Sequence, residues 1–513
     1  MRTSLLSLSF AFVPAVCLAV ACGGTDVVID DLDAGSTPPI TTKDSGPKAD
    51  GGITDPDSST TKDSGSDASV GPLTIKTSKL VSGEFLIRGV TEDGYVAYLR
   101  FENNKTSAEV ISQNGGTPIV LNDDLGDTED IFVSGGAVGL WTNLDANDVG
   151  KFFVWTKANG LKDSTIKTAI GDFAASSDGS RVAYVKVNPT TEELMFSDTA
   201  FTIVPVQVQD DLGRGDNTTD CTPSYGFHKT FLVAATCKDG TTNATVRRVD
   251  STGAKLTVTT GMAPEYSVND NVDKVFTHTR NGAGRVYALS GGAFSQSVEL
   301  QNAGVAQGFL APDGTYVVFR TTPGVLRRGN ATAPATNVDL STTPVLTNLL
   351  DRSKDLKFVV TASKIDNGNP DIPRFDLLLQ GTTTPAAPTV VVPTAISFPL
   401  GFTTDGSHYA YLTNVPAAGV FATMKLHPMT GGGQDVELGK DAFFFLPLGG
   451  KNFAYADTAR EDANEDVIMD LKASAGVSTP QTIAKGVLAG IDSLGTKVFY
   501  VVPGDALYAA DVQ

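Results

Sequence analysis

The chain has 513 residues, ample for a large core, and only 19% of them are charged, with 52 Gly and 26 Pro. That mixture suits turn-rich β structure better than a coiled coil or a helix bundle. A net charge of −19 argues against nucleic acid as a partner, because phosphates demand a basic surface. A mean hydropathy of −0.02, with a single long apolar run, excludes a chain that crosses a membrane many times.

That run opens the chain. Arg2 supplies a short basic region, Leu5 to Ala21 are uncharged, and the segment ends in small residues, the pattern of a secretion signal. The end Ala19-Val20-Ala21-Cys22, followed by Gly23-Gly24, resembles the lipobox of bacterial lipoproteins. The resemblance implies a signal peptide over 1–21, cleavage before Cys22 and lipidation of Cys22. Acyl chains at about 0.8 kcal/mol per buried methylene hold a protein on a bilayer without a spanning helix. Gly at 23, where Asp marks retention in the inner membrane, implies an outer-membrane lipoprotein, facing either the periplasm or the cell surface.

Residues 22–72 read as a disordered acidic tether. They are dominated by Asp, Ser, Thr, Gly and Pro, with TTKDSG at 41–46 repeated at 60–65 and ten aspartates against three lysines. Too few apolar residues are present to offset the entropy of ordering.

Two of the four cysteines lie in this N-terminal part; the others are Cys221 and Cys237. They are equidistant from Lys229 in a candidate hairpin, which predicts cross-strand partners within disulfide reach.

From 73 onward the chain is a repeat. TEDGYVAYLR (91–100), SSDGSRVAYVKV (176–187), APDGTYVVFRT (311–321) and TTDGSHYAYLTN (403–414) are near copies, and degenerate versions centre near 135, 228, 271, 353, 449 and 494. Asp-Gly makes a tight hairpin turn, since Gly tolerates positive φ and Asp bonds its own turn. The β-branched and aromatic strand that follows is apolar on both faces, as a strand sandwiched between sheets must be. A third strand such as FFVWT (152–156), VYAL (286–289) or VIMDL (467–471) and a short fourth complete each unit. A four-stranded antiparallel sheet every ~43 residues is a β-propeller blade.

The expected fold is therefore all-β: a β-propeller over 73–513 with about ten repeat units, of which seven to ten are true blades, in one ring or two smaller ones. In the last unit VLAGI (487–491), KVFYVV (497–502) and ALYAAD (506–511) stop one strand short. LTIKTSKL (73–80) has no partner of its own, so it is expected to supply the missing strand and remove the free edge. The Asp-Gly-x-x-hydrophobic-Ala-aromatic signature resembles TolB-type propeller repeats. The chain departs from TolB in unit number and in carrying a tether instead of an N-terminal α/β domain, so TolB's contacts with the peptidoglycan-associated lipoprotein do not carry over.

Blade topology sorts the loops. Loops between the second and third strands share one rim with the links between blades, and the Asp-Gly turns occupy the other. The first rim collects Asp123, Asp124, Asp127, Asp130, Asp210 and Asp211 in interblade links, and Asp145, Asp148, Asp366, Asp371, Asp462 and Asp466 in intrablade loops. These form a candidate acidic binding face for a cation or a basic protein surface. Asp145-Ala-Asn147-Asp148 and the stretch from Asp366 to Asp371 are oxygen-rich enough for Ca²⁺, though neither is an EF-hand loop and solvated hairpin tips share that composition. No other cofactor is implied.

Catalytic motifs are missing. His228, His278, His408 and His427 fall on four different units, and neither His-Glu-x-x-His nor Gly-x-Ser-x-Gly occurs. Asp93, Asp178, Asp313 and Asp405 read as turn formers. The expected function is a lipid-anchored protein-binding or scaffolding module of the cell envelope, not an enzyme. The alternative is an envelope hydrolase or lyase with a site built from loops at the ring mouth, a construction that leaves no linear motif. Carboxylates converging on one pocket favour the alternative; a dispersed rim favours partner binding.

Overall fold

The computed structural model describes residues 73–513 apart from short internal stretches, the longest being 143–149, 214–220, 366–373 and 414–421. The proposed signal, Cys22 and tether lie outside the described residues.

All ten units are blades. They span 84–122, 130–163, 169–209, 224–262, 262–301, 305–339, 348–390, 397–442, 445–488 and 492–512, and are numbered 1 to 10 in that order. The tenth is completed by Ile75–Ser82, which pairs antiparallel with Ala506–Val512, placing Ile75 opposite Val512 and Thr77 opposite Ala510. The sheet therefore runs from its inner strand, Asp492–Leu494, through Lys497–Val502 and Ala506–Val512 to the N-terminal strand outside. The expected closure is present. VLAGI is not the first strand of this blade: Val487 and Leu488 finish the outer strand of blade 9, and three residues make the inner strand.

The ring is single. Each second strand sends alternate side chains to opposite neighbours, as a period of two requires. In Tyr95–Glu102, Val96 and Tyr98 pack against Phe499 and Leu507 of blade 10, whereas Ala97 and Leu99 pack against Ile131 and Leu140 of blade 2. The same handover repeats at every junction: blades 4 and 5 share Val233, Tyr266 and Val275, blades 7 and 8 share Val360, Leu377 and Tyr409, and blades 9 and 10 share Ala454, Leu471 and Tyr500. Ten interblade cores join each sheet to the next and the last to the first. Two smaller rings would need cores between distant blades.

Two junctions fuse neighbouring sheets. Lys255–Val268 is the outer strand of blade 4 over its first half and the inner strand of blade 5 over its second. Blades 7 and 8 meet through a pairing of Phe375 with Ser397.

Cys221 and Cys237 form a disulfide with Cα atoms 6.2 Å apart. They are not register partners. The hairpin pairs Ser224 with Ala235 and His228 with Phe231, so its centre falls between Lys229 and Thr230, and the two cysteines lie beyond the paired residues. The bond clips the link leading into blade 4 to the end of that blade's second strand.

Candidate functional site: two rims and the inner strands

The Asp-Gly rim is structural. Thr91 donates its hydroxyl to Asp93 (2.5 Å), Ser176 to Asp178 (2.7 Å) and Thr403 to Asp405 (2.8 Å), while Asp313 accepts from the amide and hydroxyl of Thr315. Burial alone would raise the Asp178 carboxyl. Hydrogen bonds from Ser176 and Ser180 and the charge of Arg181 outweigh it and hold the group below its ordinary range. These turns also hook blade to blade. The Glu92 amide donates to Gly135, Gly136 to Ser176, Asp270 to Pro312 and Asp405 to Gly450, at 2.9–3.1 Å. The carboxylates are committed to their own turns, as expected for turn formers.

Of the aspartates that the sequence assigns to the opposite rim, those with described side chains fall in three places. Asp123 and Asp124 are exposed in the link from blade 1 to blade 2, and Asp124 lies 3.1 Å from the Lys105 ammonium. Asp210 and Asp211 lie in the link from blade 3 to blade 4; Asp210 is 3.0 Å from Lys238, whose hydrogen bond holds its carboxyl low. Asp462 and Asp466 close the long hairpin of blade 9, the Asp466 amide donating to Asp462 at 2.9 Å. Burial, then the negative charges of Asp462 and of Glu84 on blade 1, push the Asp466 carboxyl up. Asp130 begins the inner strand of blade 2 opposite Trp141; its side chain lies outside the description. Asp127, Asp145, Asp148, Asp366 and Asp371 lie outside the described residues. Among the described residues no three His, Cys, Asp or Glu side chains are grouped to hold a metal ion.

Sequence reasoning missed the inner strands. Glu84, Asp172, Glu265, Asp351 and Asp492 sit on the inner strands of blades 1, 3, 5, 7 and 10. Asp172 accepts a 2.5 Å hydrogen bond from the Tyr225 hydroxyl on the inner strand of the next blade. Burial, reinforced by that carboxylate, pushes the Tyr225 phenol far up. Burial also raises Asp351 to about 7 against the pull of the Arg352 amide and guanidinium, and Asp492 to about 6. Glu265 lies 3.6 Å from His278. The available signal was the occurrence of an acid in the strand preceding so many of the turns.

The described histidines assemble no hydrolytic triad. His427 Nδ1 and the Tyr411 hydroxyl both bind Asp435, at 2.7 and 2.5 Å, a network internal to blade 8. Ser407 lies 2.8 Å from His408 Nδ1, but it belongs to an Asp-Gly turn and its hydroxyl also bonds Asp405.

No family model matches the chain, and no curated protein matches it. Solved structures similar to it include a eukaryotic initiation factor, at 13% identity and TM-score 0.44, covering 70% of this chain and 90% of that one. The C-terminal WD40 domain of Sif2 is similar at 9% identity and TM-score 0.38, covering 85% and 98%. The β-propeller domain of the trilobed protease from Pyrococcus furiosus is similar at 8% identity and TM-score 0.34, covering 78% and 98%.

Proposed function

We propose that the protein is a lipid-anchored β-propeller of the bacterial cell envelope that acts as a binding or scaffolding module. The rim opposite the Asp-Gly turns receives a basic surface of a partner protein. One observation carries this reading: the described candidate aspartates of that rim are spread over blades 1, 3 and 9 instead of surrounding one pocket. A dispersed acidic rim steers and orients a macromolecule, whereas chemistry on a small substrate needs acids within reach of one bond.

The address rests on the lipobox resemblance of Ala19-Val20-Ala21-Cys22 and on the TolB-like repeats. Outer-membrane anchoring through Cys22, with the acidic segment to residue 72 as a spacer, sets the ring at a distance from the bilayer. Labelling cells with a palmitate analogue tests the anchor: incorporation lost in Cys22→Ser supports it, and unchanged incorporation refutes it. Cross-linking in intact cells followed by mass spectrometry tests the module. Envelope proteins linked through peptides containing Asp123, Asp210 or Asp462 support the reading, and recovery of only self-contacts overturns it.

A further inference from the structure

We infer that the rim carries, between blades 4 and 6, a site for a carboxylate-bearing saccharide, distinct from the acidic face proposed above. Three loops far apart in sequence border an open depression of about 560 Å³ on this rim, with the side chains of Asn243, Arg280, Asn281 and Asn302 exposed around it. Its lining includes two guanidinium groups, Arg280 and Arg285, and three carboxamides, Asn243, Asn281 and Asn302, with no carboxylate. On a chain of net charge −19, and with Arg285 ion-paired to Glu299, the Arg280 guanidinium is the cation that draws a ligand of opposite sign to this lining.

The site is built before any ligand arrives. The hairpin at residues 279–283 is pinned to the next interblade link by the Gly304 amide bonding Asn281 (3.3 Å) and the Val305 amide bonding Gly282 (2.8 Å). Arg280 Nε donates to the Thr242 carbonyl at 2.5 Å, tying the same hairpin to blade 4. Arg285 Nε is held by Glu299 at 3.1 Å. Each guanidinium is thus fixed through its Nε. Among the described residues Arg280 makes no ion pair, and the three asparagine side chains make no hydrogen bond. Over Gly261 the cavity is open, since a Cβ there would meet nothing within 4 Å.

The donor set defines the ligand class. Guanidinium groups match a carboxylate in a two-bond fork. Carboxamides offer a donor and an acceptor together, which suits hydroxyls that both give and receive hydrogen bonds. Ala283 and Gly261 supply the small apolar share, too little to hold a lipophilic molecule. A uronic acid presents both groups on one ring.

Calorimetric titration of the protein with digalacturonate, the corresponding neutral disaccharide and inorganic phosphate tests the assignment. Digalacturonate is expected to bind with a Kd of about 1 mM or tighter, and the neutral sugar at least tenfold more weakly. Arg280→Ala and Asn302→Ala should each weaken binding about tenfold or more, as loss of a charge-assisted or ligand-facing hydrogen bond implies. Arg280→Lys should recover only part of the loss. Asn302 makes no hydrogen bond with described residues, so its variant separates recognition from folding, with an unchanged melting temperature as control. Absent binding, equal binding of acidic and neutral sugars, equal binding of phosphate, or full affinity in Asn302→Ala would overturn the proposal.

Discussion

Proline substitution in the closing strand tests whether the ring is sealed by the N-terminal segment. Thr74 and Gln513 exchange both main-chain hydrogen bonds, at 2.7 and 2.9 Å. In an antiparallel ladder such pairs alternate, so Lys76, opposite Asp511, also donates inward, while the amide of Thr77, opposite Ala510, points to the open edge. Lys76→Pro removes one ladder bond, worth about 1 kcal/mol, and strands the Asp511 carbonyl at a further ~1–2 kcal/mol. Thr77→Pro loses no ladder bond, and Pro is tolerated on the outward side of an edge strand. Lys76→Ala isolates the side chain, which is exposed. Because blade 10 keeps its other three strands, the opening is local and is read by hydrogen exchange of the Ala509 and Asp511 amides. A cost of about 2–3 kcal/mol speeds their exchange roughly 30- to 150-fold in Lys76→Pro, with little change in Lys76→Ala or Thr77→Pro. Unaltered protection in Lys76→Pro, or equal acceleration in Thr77→Pro, would refute the assigned closure.

Three other outcomes follow from the same geometry. Reducing Cys221–Cys237, 16 residues apart, should cost about 3 kcal/mol in urea unfolding if chain entropy governs the bond. Asp351 is protonated more readily in the folded chain, at about 7, than unfolded, at about 3.9. Its contribution to stability is therefore full below about pH 4 and is lost as pH rises through 7. Asp351→Asn should match the native chain near pH 4 and exceed it in melting temperature at pH 8; no gain at pH 8 contradicts the buried-acid argument. Finally, a Cβ at Gly136 would sit 2.5 Å from the Gly179 amide nitrogen of the next blade, whereas at Gly291 it meets nothing within 4 Å. Gly136→Ala should cost about 3 kcal/mol and Gly291→Ala, at φ 60°, only about 1 kcal/mol, as denaturation midpoints would show.

Much of the fold was legible because its defining parts are local. Asp-Gly turns and the doubly apolar strands after them depend on a dozen consecutive residues, and all ten such places became blades. The unpaired strand at each end of the repeat announced its partner by elimination. What failed was non-local. The inner strand Asp492–Leu494 is too short to show a period, so VLAGI was mistaken for it. A half-residue error in the turn centre, which is one residue in register, put Cys221 and Cys237 opposite each other, although the disulfide forms outside the ladder. The three loops that bring Asn243, Arg280 and Asn302 together have no common motif. Nor could the number of rings be read, since it depends on which distant blades touch.

A ring of ten demands little that a smaller ring does not. Every second strand already buries both faces against its neighbours, so one more blade adds another interface of the same kind and leaves no face bare. What changes with ring size is the environment of the inner strands. A ten-fold ring turns by a tenth of a circle at each blade, and its inner strands are held farther from the axis than in rings of the usual four to eight. That geometry lets Glu84 and Asp172 remain exposed on inner strands, because an ionised carboxylate there keeps its water. Asp351 and Asp492 mark where the same strands turn into protein instead, and their raised proton affinity is the cost of that burial. The inner acids thus separate into an exposed pair, Glu84 and Asp172, and a half-buried pair, Asp351 and Asp492, whose affinity for a proton the surrounding protein raises.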